Sequence, residues 1–501
     1  MNSKQTSPTS HDYFLNQLQS NDIFAKTQKK DASIWSNDKK VQQSIKNRLG
    51  WTQSNQFISQ FKEKINDFYE KIQHSGYRDF VWIGMGGSSL FAKTLAHVFQ
   101  AKHFYIIDST DTEHINACLS KLDLSKTLFF IASKSGTTLE TLSVFHYLQQ
   151  LNIPDHHFVS VSDENTTLSQ HFTLDDHNYY DQFINPSDIG GRFSSTSYFG
   201  LLPLALIDFN AFHDNVNCFL ESSNSQDLQK GIESFAAKVF YLYKNHGSNK
   251  LILHFPDQLS YFTHWVEQLV AESTGKNNRG FIPLPSEYID NDREDYIHIY
   301  NAQSQNITKI FAQTLSFPIN ADKNNLLLQS YAWMHITAIL GYFLQLNPFD
   351  EPNVALAKSF AQDYLKQENL TPADVLTTLD DSFFEHLNKQ SKKNNFIAVL
   401  FFGHDDTEHL KKLCKHLSKT YQQPCIPYYG PQYLHSVGQY FKGGHHDVSF
   451  IIAYCENDDL SEEQKHLEKI KLAQCLGDYH ALQQLKKPVI FVKQDELFKL
   501  S

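Results

Sequence analysis

The stretch TLFFIASKSGTTLETLSVFHYLQQ, residues 127–150, decides the fold. Its first six residues, TLFFIA, form an apolar run with the length and composition of a buried strand, and LETLSVFHYLQQ repeats its apolar positions at helical spacing. Between them lie Ser133, Lys134, Ser135, Gly136, Thr137 and Thr138, small donors and one cation gathered where a strand hands over to a helix. VWIGMGGSSLFAKTL (81–95) repeats the design, with Gly84, Gly86 and Gly87 ahead of Ser88 and Ser89. Outward from these two steps, short apolar runs at 79–84, 104–108, 127–132 and 157–162 alternate with helical stretches at 88–100, 112–121 and 138–150. That alternation predicts an α/β fold, a parallel sheet covered by helices.

The rest of the chain divides around this block. Residues 1–70 are polar and helix-biased, with NRLGWTQ (47–53) supplying a Gly50 stop signal and an aromatic anchor; they read as an N-terminal helical arm. Residues 71–210 hold the first α/β domain and its candidate anion cradle. A second α/β domain, 211–370, begins its pattern at KLILHFPD (250–257), continues with the helix FTHWVEQLVAES, and ends in a long apolar helix around YAWMHITAILGYFLQL (331–346). Behind the Lys/Asn-rich linker NKQSKKNN (388–395), the runs FIAVLFFG, VSFIIAYC and KPVIFVK predict a small C-terminal α/β domain within 371–501.

Bulk properties exclude several classes. A chain of 501 residues, 41% hydrophobic and 20% charged, has the composition of a globular protein of two or three domains. Its net charge of −11 argues against general nucleic-acid binding, which needs a phosphate-neutralising basic surface, while leaving room for one local anion site. The six cysteines stand far apart with no C-x-x-C pair, so reduced, mostly buried thiols are expected rather than disulfides or a zinc ribbon. The N-terminus carries no apolar stretch, and the longest apolar-rich run, Tyr198 to Ile207, is short and contains Pro203; no membrane span and a cytoplasmic location are expected.

In open α/β sheets ligands bind beyond the carboxyl ends of strands, where helix N-termini present unpaired N–H groups to anions. Hydroxyls in the 133–138 loop can cap the following helix or donate to phosphate oxygens, Gly136 relieves backbone crowding and Lys134 supplies charge. An ordinary helix cap is the competing reading. The glycines at 84, 86 and 87 also suggest a dinucleotide site, with Asp108 near the place of a ribose-binding acid, but G-x-G-x-x-G needs glycine at position 89, which is Ser89.

Two further side chains suggest chemistry. Arg192, in SDIGGRFSSTSYFG (187–200), follows two glycines at the start of an expected helix, where a guanidinium can stabilise an oxyanion; a surface arginine near a cap is the alternative. On the helix FTHWVEQLVAESTGK, Phe262, Val266, Leu269 and Val270 define an apolar face flanked by Trp265. Helical spacing sets Glu272 beside that indole and turns Glu267 to solvent. A carboxylate at a semi-apolar helix C-terminus is disfavoured as an anion, which raises its pKa toward the range of a general base; a helix-edge glutamate paired with Lys276 is the alternative.

GMGGSS, SKSGTTLET, GGRFS, AESTGK and NPFDEPNVALAK occur in the order and wording of phosphoglucose isomerases, and the first two resemble the marks of their sugar-isomerase (SIS) domains. The tail GPQYLHSVGQYFKGG and LAQCLGDYHAL, and an arm with Trp35 and NRLGW ending at Trp51, resemble the isomerase half of transaldolase–phosphoglucose isomerase fusions; with Met1 as the start, no transaldolase barrel is expected ahead of it. The resemblance implies two SIS-type domains plus the C-terminal domain, and interconversion of glucose 6-phosphate and fructose 6-phosphate without metal or other cofactor. It implies phosphate and sugar contacts from Gly87, Ser88, Ser133, Lys134, Ser135, Thr138 and Thr141, a proton-carrying base at Glu272, an enediolate-steadying Arg192 and a ring-opening Lys358.

The resemblance is incomplete. Ser135-Gly136 stands where many members have Thr-Phe, Glu351 stands where glutamine is common, and nothing between Glu272 and Lys358 matches the histidine-bearing GQHAFYQL. The substitute is His435 in YLHSVGQ, against the alternative of a structural loop histidine; a second histidine of the fusion-type tail is Phe441 here. Two other activities share the pattern: a dual phosphoglucose/phosphomannose isomerase, and a non-catalytic SIS-domain sugar-phosphate sensor. Retention of Arg192, Glu272 and Lys358 together argues against the sensor. GGHHD (443–447) reads as loop histidines rather than a metal site. A small sugar phosphate is the expected partner, and a homodimer is one assembly the sequence allows, with the third block closing over its own site or a neighbour's.

Overall fold

The protein is described by a computed structural model covering residues 10–174, 177–289, 293, 295–301, 313–368, 370–372, 381–390, 395–404 and 407–499. Residues 1–9 of the expected arm and 391–394 of the expected linker lie outside these. Among the described residues there are three sheets, and every pairing in them is parallel. The first contains β1 (Asp79–Gly84), β2 (Phe104–Ile107), β3 (Thr127–Ala132), β4 (Phe158–Asp163) and β5 (Asp181–Asn185) in the order β2-β1-β3-β4-β5. The second contains β6 (Lys250–His254), β7 (Ile282–Pro285), β8 (Ile297–Asn301) and β9 (Thr314–Phe317) in the order β7-β6-β8-β9. The third, β10 (Phe396–Phe402), β11 (Cys425–Tyr429), β12 (Val448–Tyr454) and β13 (Val489–Lys493), is ordered β11-β10-β12-β13. All three share one plan: the first strand is central, the second flanks it, and the third returns on its other side.

The α/β class with helix-covered parallel sheets is therefore as expected. The strands that the apolar runs predicted are all present, because β1, β3, β4, β10 and β12 are buried along their whole length and need near-continuous apolar sequence. Several others were not predicted. Edge strand β5 reads DQFIN and is only half-buried, while β7 (IPLP) and β11 (CIPYY) carry proline, which sequence reasoning penalises but an edge position tolerates. Asn388, Lys389 and Gln390, the start of the expected linker, instead close the helix Asp381–Gln390.

The arm is bound tightly to the body. Trp35 donates its indole N–H to the Ala338 carbonyl (2.9 Å), within the buried helix Leu326–Leu344, and Trp51 stacks on Phe193. Gly50 N–H donates to Asp188 O (2.7 Å), and Leu49 bridges Ile189, so NRLGW is fastened to the loop that carries Arg192. One apolar core runs from the arm through the helix Tyr198–Ile207 to Leu326–Leu344. The six cysteines are unpaired thiols; four are buried, and Cys218 and Cys455 partly so. No helix among the described residues is long and apolar enough to cross a membrane.

Candidate active site

In the first sheet the chain reverses direction of growth between β1 and β3, so the loops that leave these neighbouring strands splay apart and open a crevice. A cleft of about 230 Å³ occupies it, lined by Gly86, Gly87 and Ser88 from one loop and Lys134, Ser135 and Thr138 from the other. The hydroxyls are not spent as caps. Neither Thr138 nor Ser89, the N-cap residues of the two helices, makes a side-chain capping bond, which removes the ordinary-cap reading. Ser88 Oγ accepts from Lys134 N–H (3.4 Å), and Ser133 Oγ lies 2.9 Å from Thr138 Oγ1. Gly136, at φ +63°, takes a conformation that side chains rarely adopt.

Ser133 and Thr141 do not line this cleft. Both are buried behind it, Ser133 orienting Thr138 and Thr141 keeping a hydroxyl without a hydrogen-bond partner among the described residues. Lys134 is ion-paired with Asp163 at the end of β4. Burial raises the Asp163 carboxyl above its ordinary range even though Lys134 pulls it down. Asp108, the candidate ribose acid, is buried and paired with Lys93 (2.9 Å).

Arg192 reaches the cleft from the turn Gly191–Phe193, pressed against the first loop: a Cβ on Gly87 would sit 2.3 Å from Gly191 O, so only glycine permits the approach. Its guanidinium is nearly buried and fully engaged. Nη1 lies 2.9 Å from Glu272 Oε1 and 3.1 Å from Glu351 Oε2, Nε donates to Ser273 Oγ (3.1 Å), and Nη2 donates to the Pro348 and Asp350 carbonyls (3.3 and 3.2 Å). Glu272 ends the buried helix Phe262–Thr274 and lines the same cleft. Burial raises its carboxyl above the usual carboxylate range; Arg192 draws it back and the Glu351 carboxylate pushes it up. The alternative pairing with Lys276 does not occur, since Lys276 binds Asp350 (2.7 Å). Glu267, expected to face solvent, is instead buried, because the helix is enclosed on both sides, and it accepts from Tyr428 O–H (2.8 Å).

Lys358 and His435, distant in sequence, both line the cleft. His435 Nε2 is 2.6 Å from Glu140 Oε1, which also accepts from Gln474 Nε2 (2.5 Å), and the His435 carbonyl accepts from Gln268 Nε2 (2.6 Å). Burial alone would lower the His435 pKa, but the Glu140 carboxylate outweighs it and the imidazole stands above its ordinary value; burial works against the Glu140 carboxyl too, yet beside His435 it is held down to about 2. Glu140 thus holds the imidazole by one ring nitrogen at the edge of the cleft.

Sequence reasoning missed four members of this site. Arg48, from the arm, lines the cleft with Glu351, and Gln268, one turn before Glu272, touches both Glu272 Oε2 (3.4 Å) and the His435 loop. Glu140 sat inside the quoted SKSGTTLET, but nothing local announces a partner 295 residues away. Glu351 was noted for what it replaces, not for its bond to Arg192. A larger cavity of about 460 Å³ lies on the far face of the helix Phe262–Thr274, bordered by Glu267 rather than Glu272; none of the cradle residues, Arg192, Lys358 or His435 lines it. Among the described residues no group of three His, Cys, Asp or Glu could hold a metal ion; Asp447 of GGHHD is ion-paired with Lys250.

The fold and site together define an α/β protein with a glycine- and hydroxyl-lined cleft at a sheet crossover and a buried carboxylate–guanidinium pair beside it. The chain belongs to the phosphoglucose isomerase family, whose model, described as "Phosphoglucose isomerase", matches residues 25–281. It is similar to glucose-6-phosphate isomerase of Methanocaldococcus jannaschii, 31% identical over 42% of this chain and 54% of the relative, and to that of Listeria monocytogenes, 25% identical over 59% of this chain and 81% of the relative. The chain spans about half the length of the methanogen relatives it matches. Among solved structures, a hypothetical protein of Thermus thermophilus shares the fold at TM-score 0.55 and 22% identity, over 71% of this chain and 97% of that one.

Proposed function

We propose that the protein interconverts glucose 6-phosphate and fructose 6-phosphate, the activity named for the glucose-6-phosphate isomerases it is similar to, and that it does so through a cis-enediolate. The observation that carries the reading is the Glu272–Arg192 pair, 2.9 Å apart, facing the same cleft as the Ser/Thr/Lys cradle. The phosphate would rest on the loops holding Gly87, Ser88, Lys134, Ser135 and Thr138, with Ser133 and Thr141 acting from behind. His435 and Lys358 would move the proton between O1 and O5 that opens the ring, the buried Glu140 orienting the imidazole and favouring its protonated form.

Glu272 would then take the acidic proton from the carbon next to the carbonyl and return it to the neighbouring carbon. As Glu272 is neutralised, its negative charge reappears on the enediolate within reach of the same guanidinium. Arg192 would therefore face the same negative charge before and after the step, that of Glu351 included, which needs little reorganisation. A base so placed contributes on the order of 10²–10⁴-fold.

A coupled assay of the purified protein with fructose 6-phosphate, with and without EDTA, tests the reading. Turnover unaffected by chelation is expected. Loss on chelation would indicate a metal-dependent isomerase, and binding without turnover a sensor.

A further inference from the structure

Three segments from different parts of the chain bring Glu272, Lys358 and His435 to one cleft: the helix Phe262–Thr274, the helix Ala355–Leu365 with its leading turn Pro352–Val354, and the turn Gln432–His435 with the helix Gly438–Gly443. All three meet at one side chain outside the cleft lining, Gln439, which is completely buried. Its Nε2 donates to Gly275 O (2.8 Å), just past the C-terminus of the Glu272 helix, and to Asn353 Oδ1 (2.7 Å), in the turn that launches the Lys358 helix. Its Oε1 accepts from Asn353 N–H (2.8 Å). Gln439 itself lies four residues after His435. Both amide hydrogens and the amide oxygen are thus used; the bond to Gly275 O is buried and the two to Asn353 are part-buried.

We propose that Gln439 is a positioning residue, which sets the base-bearing helix, the lysine-bearing helix and the histidine turn in register for the reaction proposed above. The inference rests on that isomerase reading. Gln439 touches neither the cradle nor the cleft, so it acts on the reacting groups and not on the phosphate. An amide can do this where a space-filling residue cannot, because its donors and acceptor fix both the distance and the orientation of the segments they join. Displacing the base by about 1 Å costs up to about 10²-fold in rate.

The test is steady-state kinetics with fructose 6-phosphate for the parent, Gln439→Glu and Asn353→Ala, each checked for cooperative unfolding above the assay temperature. Gln439→Glu keeps the volume and loses both donors; Asn353→Ala deletes one of the three bonds and can be read if the first variant does not fold. For a folded variant the expected result is a kcat lower by about 10²-fold for Gln439→Glu, and by about 10-fold for Asn353→Ala, with KM within about twofold of the parent. Parental kcat in either folded variant, or a raised KM with kcat unchanged, would overturn the inference while leaving the isomerase reading intact. A parent without turnover would overturn both.

Discussion

The carboxyl of Glu272 is subject to opposing influences that single substitutions can separate. Burial and the neighbouring Glu351 carboxylate lift its pKa, while Arg192 lowers it. As the proposed base, Glu272 must be ionised, so kcat/KM falls as pH drops through that pKa. Glu351→Gln removes one of the lifting influences, and the acid limb of the pH profile should move to lower pH; an unmoved limb would show that another group controls it. For His435→Ala, the loss should be on the order of 10²-fold on cyclic substrate and much smaller on an open-chain analogue. Equal losses would remove the ring-opening role. Glu272 was legible at this scale because helical spacing sets it beside Trp265, on the flank of the apolar face of its helix. Glu140 and Arg48 were not, because each has its significance only through a partner that the fold supplies.

Turns and helices set where these groups stand. At Gly87 the backbone of the first cradle loop touches the Arg192 turn, and Gly87→Ala would place a methyl 2.3 Å from Gly191 O. Since one loop must move, kcat/KM should fall by about 10²-fold, read by steady-state assay, with the loss shared between substrate binding and turnover. A fully active Gly87→Ala would mean that the contact is not needed. Elements buried on both faces were readable from sequence alone: β1, β3 and their following helices alternate as an α/β pattern must. Edge strands such as β5 and β7 were not, because β5 is polar and half-buried and β7, though buried, is four residues long with two prolines, and no local pattern distinguishes either from loop.

Across the whole molecule, the C-terminal unit is tied to the first by a buried ionic cluster. Lys471, on the helix Glu462–Gln484, meets Asp111 (2.7 Å) and Glu468 (2.6 Å), and Glu468 in turn accepts from Thr112 N–H (3.0 Å). The same helix sends Gln474 to Glu140, the carboxylate partner of His435. Lys471→Met leaves two buried carboxylates unpaired and should destabilise the protein by about 3–5 kcal/mol, seen as a lower urea midpoint with activity lost in the same transition. An unchanged midpoint would show that the Lys471 ion pairs add nothing to the tie between the two units. No sequence signal announces this tie, since a lysine in a long, largely polar helix reads as solvent-facing until the opposing acids are placed.

The central claim is that one carboxyl group ferries a proton between adjacent carbons of a hexose phosphate. Turnover of fructose 6-phosphate in D₂O tests it most directly, with deuterium at C2 of the glucose 6-phosphate formed as the readout. The account predicts deuterium entering at C2 with the native protein, and both turnover and exchange reduced by about 10²-fold or more in Glu272→Gln, which still binds the sugar phosphate. Rapid turnover by Glu272→Gln would contradict it.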